Sequence, residues 1–217
     1  MTEPTPTDHS RPVFSRFYAR VSQRMETEGM ADLRRELLAD LDGTVVEVGA
    51  GNGMNFAQYP STVSSVIAVE PESYLRELAL RAASGAPVPV NVVPGTAARL
   101  PVPEASVDCA VVCLVLCSIG DRPVALAELA RVLRPGGTLR FLEHTIAETV
   151  TLRRVQQIAD ATVWPLLTGG CHTATDPAAD IRSAGFEITT MRRLRFPASG
   201  MTVPASTHVI GSARAPY

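Results

Sequence analysis

The sequence predicts an α/β protein built on a doubly wound, mostly parallel sheet, and three observations predict it. From Thr44 to Glu143, β-rich runs alternate with segments of helical period, the pattern that right-handed crossovers turn into a parallel sheet covered on both faces. The first β-rich run ends in Gly49-Ala50-Gly51-Asn52-Gly53, a bare-backbone turn of the kind that lets a ligand approach the main chain. The chain has 217 residues, 46% hydrophobic and 19% charged, enough apolar material for the core of one domain.

The elements follow in order. Residues 1–12 read as a loose, polar, proline-broken leader, and the single domain as 13–217. Val13–Met25 sets Phe14, Phe17, Tyr18, Val21 and Met25 at three- and four-residue spacings, an amphipathic helix. A second helix is expected over Met30–Leu41, stopped by Asp42-Gly43. This 13–42 helical unit is either ordinary core or a lid. Strands are expected near Thr44–Val48, Ser65–Glu70, Val88–Val93, Val107–Cys113 and Thr138–Glu143. Helices are expected near Met54–Gln58, Glu72–Ala83 and Arg122–Val132. Ala147–Leu167 reads as helical with a break at Pro165, and Pro177–Ser183 as a short helix closed by Gly185. The β-rich runs Phe186–Phe196 and Thr207–Ala213 then pair as a terminal antiparallel hairpin.

Several function classes drop out. Net charge is -2 and the 20 basic residues are scattered, so no nucleic-acid partner is expected. The longest apolar run, Cys109–Ile119, falls short of the roughly 20 residues of a membrane span. The leader is neither a signal peptide nor an anchor, which makes the expected location cytoplasmic. Cys109, Cys113 and Cys117 repeat every fourth residue, but on a strand the first two stand roughly 13 Å apart, too far to share a cluster. The cysteines therefore read as small core residues in a reducing compartment, and no metal is expected.

The chemistry concentrates in Val45-Val46-Glu47-Val48 and the glycine turn, followed by Val69-Glu70-Pro71. A dinucleotide turn is spaced G-x-G-x-x-G to seat a pyrophosphate on a helix N-terminus; here the spacing is G-x-G-x-G, with Glu47 two residues ahead. A carboxylate there repels a phosphate and attracts an ammonium group, which favours S-adenosyl-L-methionine. Glu70, at the end of the second strand, is positioned for the two ribose hydroxyls. A nicotinamide dehydrogenase rests on the glycine turn alone, and a cofactor-binding protein without catalysis on the lack of an unmistakable catalytic residue.

Glu47–Gly53, Val69-Glu70-Pro71, Leu100-Pro101-Val102-Pro103, Ser106-Val107-Asp108 and Arg131–Gly137 together resemble the ordered motifs of class I S-adenosylmethionine-dependent methyltransferases. A more specific likeness is to the thiol S-methyltransferase branch of the methyltransferase-like proteins. It is carried by Asn55–Pro60, Cys113–Ser118, Leu142-Glu143-His144, Gly169-Gly170-Cys171 and His208–Gly211. The resemblance implies a Rossmann-like sheet of seven strands with the last antiparallel. It implies a cofactor site of Glu47, Gly49, Ala50, Gly51, Gly53, Asn55, Glu70, Pro71 and Leu114. Where many class I enzymes carry an acidic residue for the adenine, this chain has Thr96, leaving the backbone around Ala97 to supply that contact. Membrane-anchored members of that branch carry an apolar N-terminal helix; no counterpart is expected in Met1–Met25, so the resemblance is not taken to imply a membrane location.

The acceptor is expected to be a small, fairly apolar molecule, a thiol ahead of an amine or a phenol because of the branch resemblance. His144, just past the fifth strand, is either the general base at the site mouth or a surface histidine. Tyr18, Cys117, Cys171, His172 and His208 are candidates for the acceptor pocket or for plain packing. Cys171 and His172 are adjacent, so their side chains point apart, and no Cys/His pair has zinc spacing. Trp164, the only tryptophan, lines an apolar pocket or is simply buried.

Overall fold

The computed structural model describes residues 12–216. Seven strands form one sheet in the order β3-β2-β1-β4-β5-β7-β6: β1 Gly43–Val48, β2 Val63–Val69, β3 Val90–Val93, β4 Val107–Cys113, β5 Leu133–His144, β6 Glu187–Arg195 and β7 Thr207–Arg214. Pairings are parallel from β3 through β5, while β7 runs antiparallel to both β5 and β6. The helices are α1 Pro12–Met25, α2 Ala31–Leu38, α3 Ser73–Ala83, α4 Arg122–Val132, α5 Val150–Asp160, α6 Trp164–Leu167 and α7 Pro177–Ser183.

Alternation along the strands explains the two cores. Val46, Val48, Val112 and Phe141 join Leu126 and Leu129 of α4 and Ile181 of α7 on one face. Val45, Val66, Val111 and Leu142 meet Leu37 and Leu38 of α2 and Ala79 of α3 on the other. Side chains cap three helices where the sequence expects their starts. Glu72 accepts from Leu75 N–H, Asp121 from Val124 N–H and Asp176 from Ala179 N–H.

Some expected boundaries differ. Met54–Gln58 holds a single 3-10 turn, Phe56–Gln58, rather than a helix, because the Tyr59-Pro60 pair leads straight into β2. β5 begins at Leu133, since Arg134–Gly137 continue along β4 through a register shift. The second helix ends at Leu38, and residues 26–30 form a wide turn with Gly29 at φ 109°. The break in 147–167 falls at 161–163, and Pro165 occupies the first turn of α6, where its missing N–H costs nothing. The expected leader lies outside the described residues except for Pro12, which opens α1. Among the described residues no helix is long and apolar enough to cross a membrane.

Candidate active site

Strand order reverses between β1 and β4, so the connections leaving their C-terminal ends run to opposite faces and open a crevice there. The glycine turn occupies that edge. Gly49, Gly51 and Gly53 have φ of 69°, 58° and 80°, a region that other residues enter at a cost. A side chain on Gly49 would collide with Val115, and one on Gly51 would lie 3.2 Å from the Tyr18 ring. Gly49 and Ala50 donate to Val69 O at 2.9 and 3.2 Å, which ties the turn to the end of β2.

Both glutamates are buried rather than solvated. Glu70 accepts from Gly51 N–H at 2.7 Å through Oε2 and from Glu72 N–H at 2.9 Å through Oε1. Burial raises its pKa against the pull of those two amides. Glu47 accepts from Asn55 Nδ2 at 2.9 Å and from Tyr59 O–H at 2.6 Å. Burial pushes it up to about 7 despite these bonds and the nearby Arg34. Arg34 itself donates to Asn55 Oδ1 and Glu26 Oε1, each at 2.8 Å. Asn55 is therefore a strut between Arg34 and Glu47. Pro71 follows Glu70, its carbonyl held by Arg76 at 3.0 Å. Thr96 and Ala97 lie half-buried beyond β3, where Thr96 O accepts from Arg99 N–H at 3.1 Å.

On the β4 side, Leu114 takes φ 58°, a left-handed conformation for a branched side chain. Neighbouring bonds enforce it: Leu114 N–H donates to Leu142 O at 2.8 Å, and Val115 and Leu116 N–H donate to Glu143 Oε1 at 3.0 and 3.1 Å. Glu143 is fully buried and pushed up to about 7 by burial. The turn it holds carries Cys117.

Cys117, His144 and Cys171 meet. Their sulfur and ring-nitrogen atoms all lie within 4.8 Å of one another, and all three are buried. His144 is therefore not a solvated surface histidine: it is half-buried, its ring atoms turned inward and its ring 4.5 Å from that of His208. The Cys171 thiol is brought down from its ordinary value by hydrogen bonding from Cys117 and then His144 and by the His144 charge, against the effect of burial. Cys117 is raised well above its ordinary value by Cys171 and burial, and His144 is raised by its Cys171 partner against the effect of burial. His208 faces His144 across the β5/β7 ladder and is lowered to about 3, by burial first and by the His144 charge second. His172 is exposed and turns away into a surface cleft shared with Ser118, Gly120 and Arg122. It nonetheless joins the two thiol-bearing segments, its N–H donating to Cys117 O at 2.9 Å.

α1 lies across both halves of the site. Tyr18 covers Gly51, Phe14 packs on Gly169, and Ser22 Oγ accepts from Asn52 Nδ2 at 3.0 Å. Burial raises the Tyr18 hydroxyl to about 12.

Sequence reasoning missed Tyr59, Arg34 and Glu143, along with two anchors of the acceptor side. Gln156 Nε2 lies within hydrogen-bond distance of Thr145 O, Thr173 O and Pro204 O, sharing its two protons among them. Asp160 accepts from Thr173 N–H and Ala174 N–H at 2.9 and 2.8 Å. A polar residue on the apolar stripe of Val150–Asp160 was the available signal for Gln156. The expectation of no metal rested on sequence spacing, which carries no signal here, since the three clustered side chains come from the turn after β4, the end of β5 and the loop after α6.

The strand order and the two buried carboxylates at a bare-backbone switch point agree with the class that the comparisons show, an S-adenosylmethionine-dependent methyltransferase. A family model described as a methyltransferase domain matches residues 46–141. Thiol S-methyltransferase TMT1A of Homo sapiens is 31% identical over 198 residues, 86% of this chain and 80% of that protein. TMT1B of Mus musculus is 31% identical over 206 residues, 90% and 81% respectively. The chain belongs to the family of these methyltransferases. Among solved structures, a Thermotoga maritima SAM-dependent methyltransferase, titled a possible histamine N-methyltransferase, superposes with a TM-score of 0.68. It is 22% identical, with 94% of this chain and 98% of the other covered. A geranyl diphosphate methyltransferase in complex with SAM superposes at 0.66 and 14% identity, covering 87% and 85%. These two bear on the fold.

Proposed function

We propose that the chain transfers the methyl group of S-adenosylmethionine to a small, fairly apolar thiol. The residues fit that cofactor. Gly51 leaves bare backbone where a side chain would intrude, Glu47 is a buried carboxylate suited to the methionine ammonium, and Glu70 is one suited to the ribose. In this reading Gly49, Ala50 and Gly53 shape the turn, Asn55 orients Glu47, Leu114 flanks the sulfur, and Pro71, Thr96 and Ala97 border the adenine. The cofactor supplies a methyl group already activated by positive sulfur, so the protein's work is to position the acceptor and exclude water.

The observation that carries the acceptor assignment is the cluster of Cys117, His144 and Cys171 beside the end of β4. An acceptor thiol ionises more easily than an alcohol or amine and needs little base help. His144 lies beside Cys171, which favours its protonated form against the effect of burial, so in this reading it offers a hydrogen bond or charge to an incoming thiolate rather than acting as a free base. Tyr18 and α1 act as the lid, and the exposed side chains of Val163, Leu166 and Leu167, in the segment leading to Cys171, offer apolar surface to the acceptor. The relatives' printed activity toward thiols supports the same choice. Four free, buried cysteines suit a reducing, cytoplasmic setting.

The test is transfer of labelled methyl to a panel of thiols, phenols and amines. The expected result is labelled thioether, lost in Glu70→Ala and slowed in His144→Ala with cofactor affinity kept. Transfer to phenols or amines with none to any thiol would refute the acceptor assignment.

A further inference from the structure

The clustered thiols and imidazole leave something unaccounted for. Two buried polar atoms beside the cluster have no hydrogen-bond partner among the described residues: His208 Nε2 and Glu143 Oε2. Buried polar atoms in folded chains are almost always paired, so unpaired ones beside three converging ligand atoms point to a group from outside the chain. The soft donors decide which kind. Two sulfurs and one imidazole nitrogen suit a zinc-like ion, while an oxygen-seeking ion such as magnesium would find no carboxylate among the three.

Separations agree with that choice. Zinc–sulfur and zinc–nitrogen bonds of about 2.3 and 2.0–2.1 Å put tetrahedral ligand atoms about 3.5–3.8 Å apart. The three atoms here already lie within 4.8 Å of one another, and side-chain adjustments on the order of an ångström close the set. The supports are those of a held site rather than a chance meeting. Glu143 fixes the turn of Cys117 through two backbone amides. Asp160 fixes the loop of Cys171 through two more, and His172 N–H bonds that loop to Cys117 O. Such supports orient ligands and tune a bound ion.

We propose that Cys117, His144 and Cys171 bind a zinc ion through three protein ligands, and that its fourth position takes the sulfur of the acceptor. The second half rests on the thiol reading above. The acceptor R–SH loses its proton to solvent on coordination and its sulfur stays nucleophilic. That sulfur forms a bond to the methyl carbon as the bond from that carbon to the sulfonium breaks, leaving the electron pair on the departing neutral thioether. The product R–S–CH3 is a weaker ligand than a thiolate and gives way to water. His144 then acts as a ligand, and the ion provides the positive charge.

The experiment loads the reduced, metal-free full chain with cobalt(II), whose thiolate charge-transfer and tetrahedral bands report the donor set, alongside zinc analysis of the protein as purified. The expected result is about one ion per chain with thiolate bands in the wild type. Uptake is lost in Cys117→Ser and Cys171→Ser, and kept in Cys109→Ala, whose sulfur lies outside the cluster. Cofactor binding by each variant shows that it is folded. With the demethylated cofactor bound to block turnover, adding a small apolar thiol shifts the cobalt bands. No uptake after reduction, or uptake unchanged in folded Cys117→Ser and Cys171→Ser, overturns the site. Uptake with bands indifferent to every thiol overturns the acceptor's place on the ion. Uptake in a chain that methylates only phenols or amines overturns the thiol reading and supports the ion site alone.

Discussion

Replacing Glu47 with Gln separates what this carboxyl does to the fold from what it does for the ligand. Burial lifts its folded pKa from 4.5 to about 7, and each unit is worth about 1.4 kcal/mol. Between pH 4.5 and 7 the folded chain keeps a proton that the unfolded chain has released. Stability therefore falls as pH rises through this window and levels off above it, a loss of about 3 kcal/mol from this residue. Glutamine carries no such dependence. Its amide nitrogen, however, faces one of two donors, Asn55 Nδ2 or Tyr59 O–H, at a cost of about 1–2 kcal/mol. Glu47→Gln should thus be less stable than wild type near pH 5 and more stable near pH 8. Urea unfolding followed by circular dichroism at both pH values checks this, and parallel stability curves for the two proteins would refute the buried-charge argument. Cofactor affinity should drop by about 10–100-fold on loss of a charge-assisted contact of about 1.5–3 kcal/mol. Calorimetry in buffers of different ionisation heat should show wild-type Glu47 releasing part of a proton on binding at pH 7, a release absent in the variant. An unchanged affinity would remove Glu47 from the ligand.

Three further predictions follow from the same geometry. Gly51→Val should abolish measurable cofactor binding, because a branched side chain at φ 58° is strained and crowds Tyr18; calorimetry on the folded variant checks it. Gln156→Leu should cost about 2–4 kcal/mol in denaturant unfolding, since Ala147 N–H loses its acceptor and the two amide protons shared among the carbonyls of Thr145, Thr173 and Pro204 are lost in a buried place. A variant of wild-type stability would show that these groups find other partners. Phe141→Ala, emptying a fully buried position between β5 and the α4 face, should cost about 3–5 kcal/mol by the same measurement.

The sheet was legible because its strands are apolar runs bounded by glycine, proline or capping residues, and period alone identifies such runs. The same signals overreach at Met54–Gln58, where helix-compatible residues are cut short by Pro60 and the start of β2. The glycine turn and its two acidic residues were legible as a local device, since their spacing follows the backbone. Tyr59 and Arg34 were not, because they reach Glu47 and Asn55 through the fold rather than through neighbouring positions. Cys117, His144 and Cys171 lie 27 residues apart at each step, and only the pairing of β5 with β4 and β7 and the return of the loop after α6 bring them together. Glu143 carries no mark in the sequence that separates a solvated strand end from a buried clamp on the opposite turn.

One helix rests on two loops. Tyr18 on Gly51 and Phe14 on Gly169 stand a single helical turn apart on α1, so a hinge motion that bares one loop bares the other. In the lid reading proposed above, nucleoside and acceptor then share one gate rather than two. On that reading neither product escapes while its companion remains sealed in, and the pace of turnover follows how often that one segment lifts.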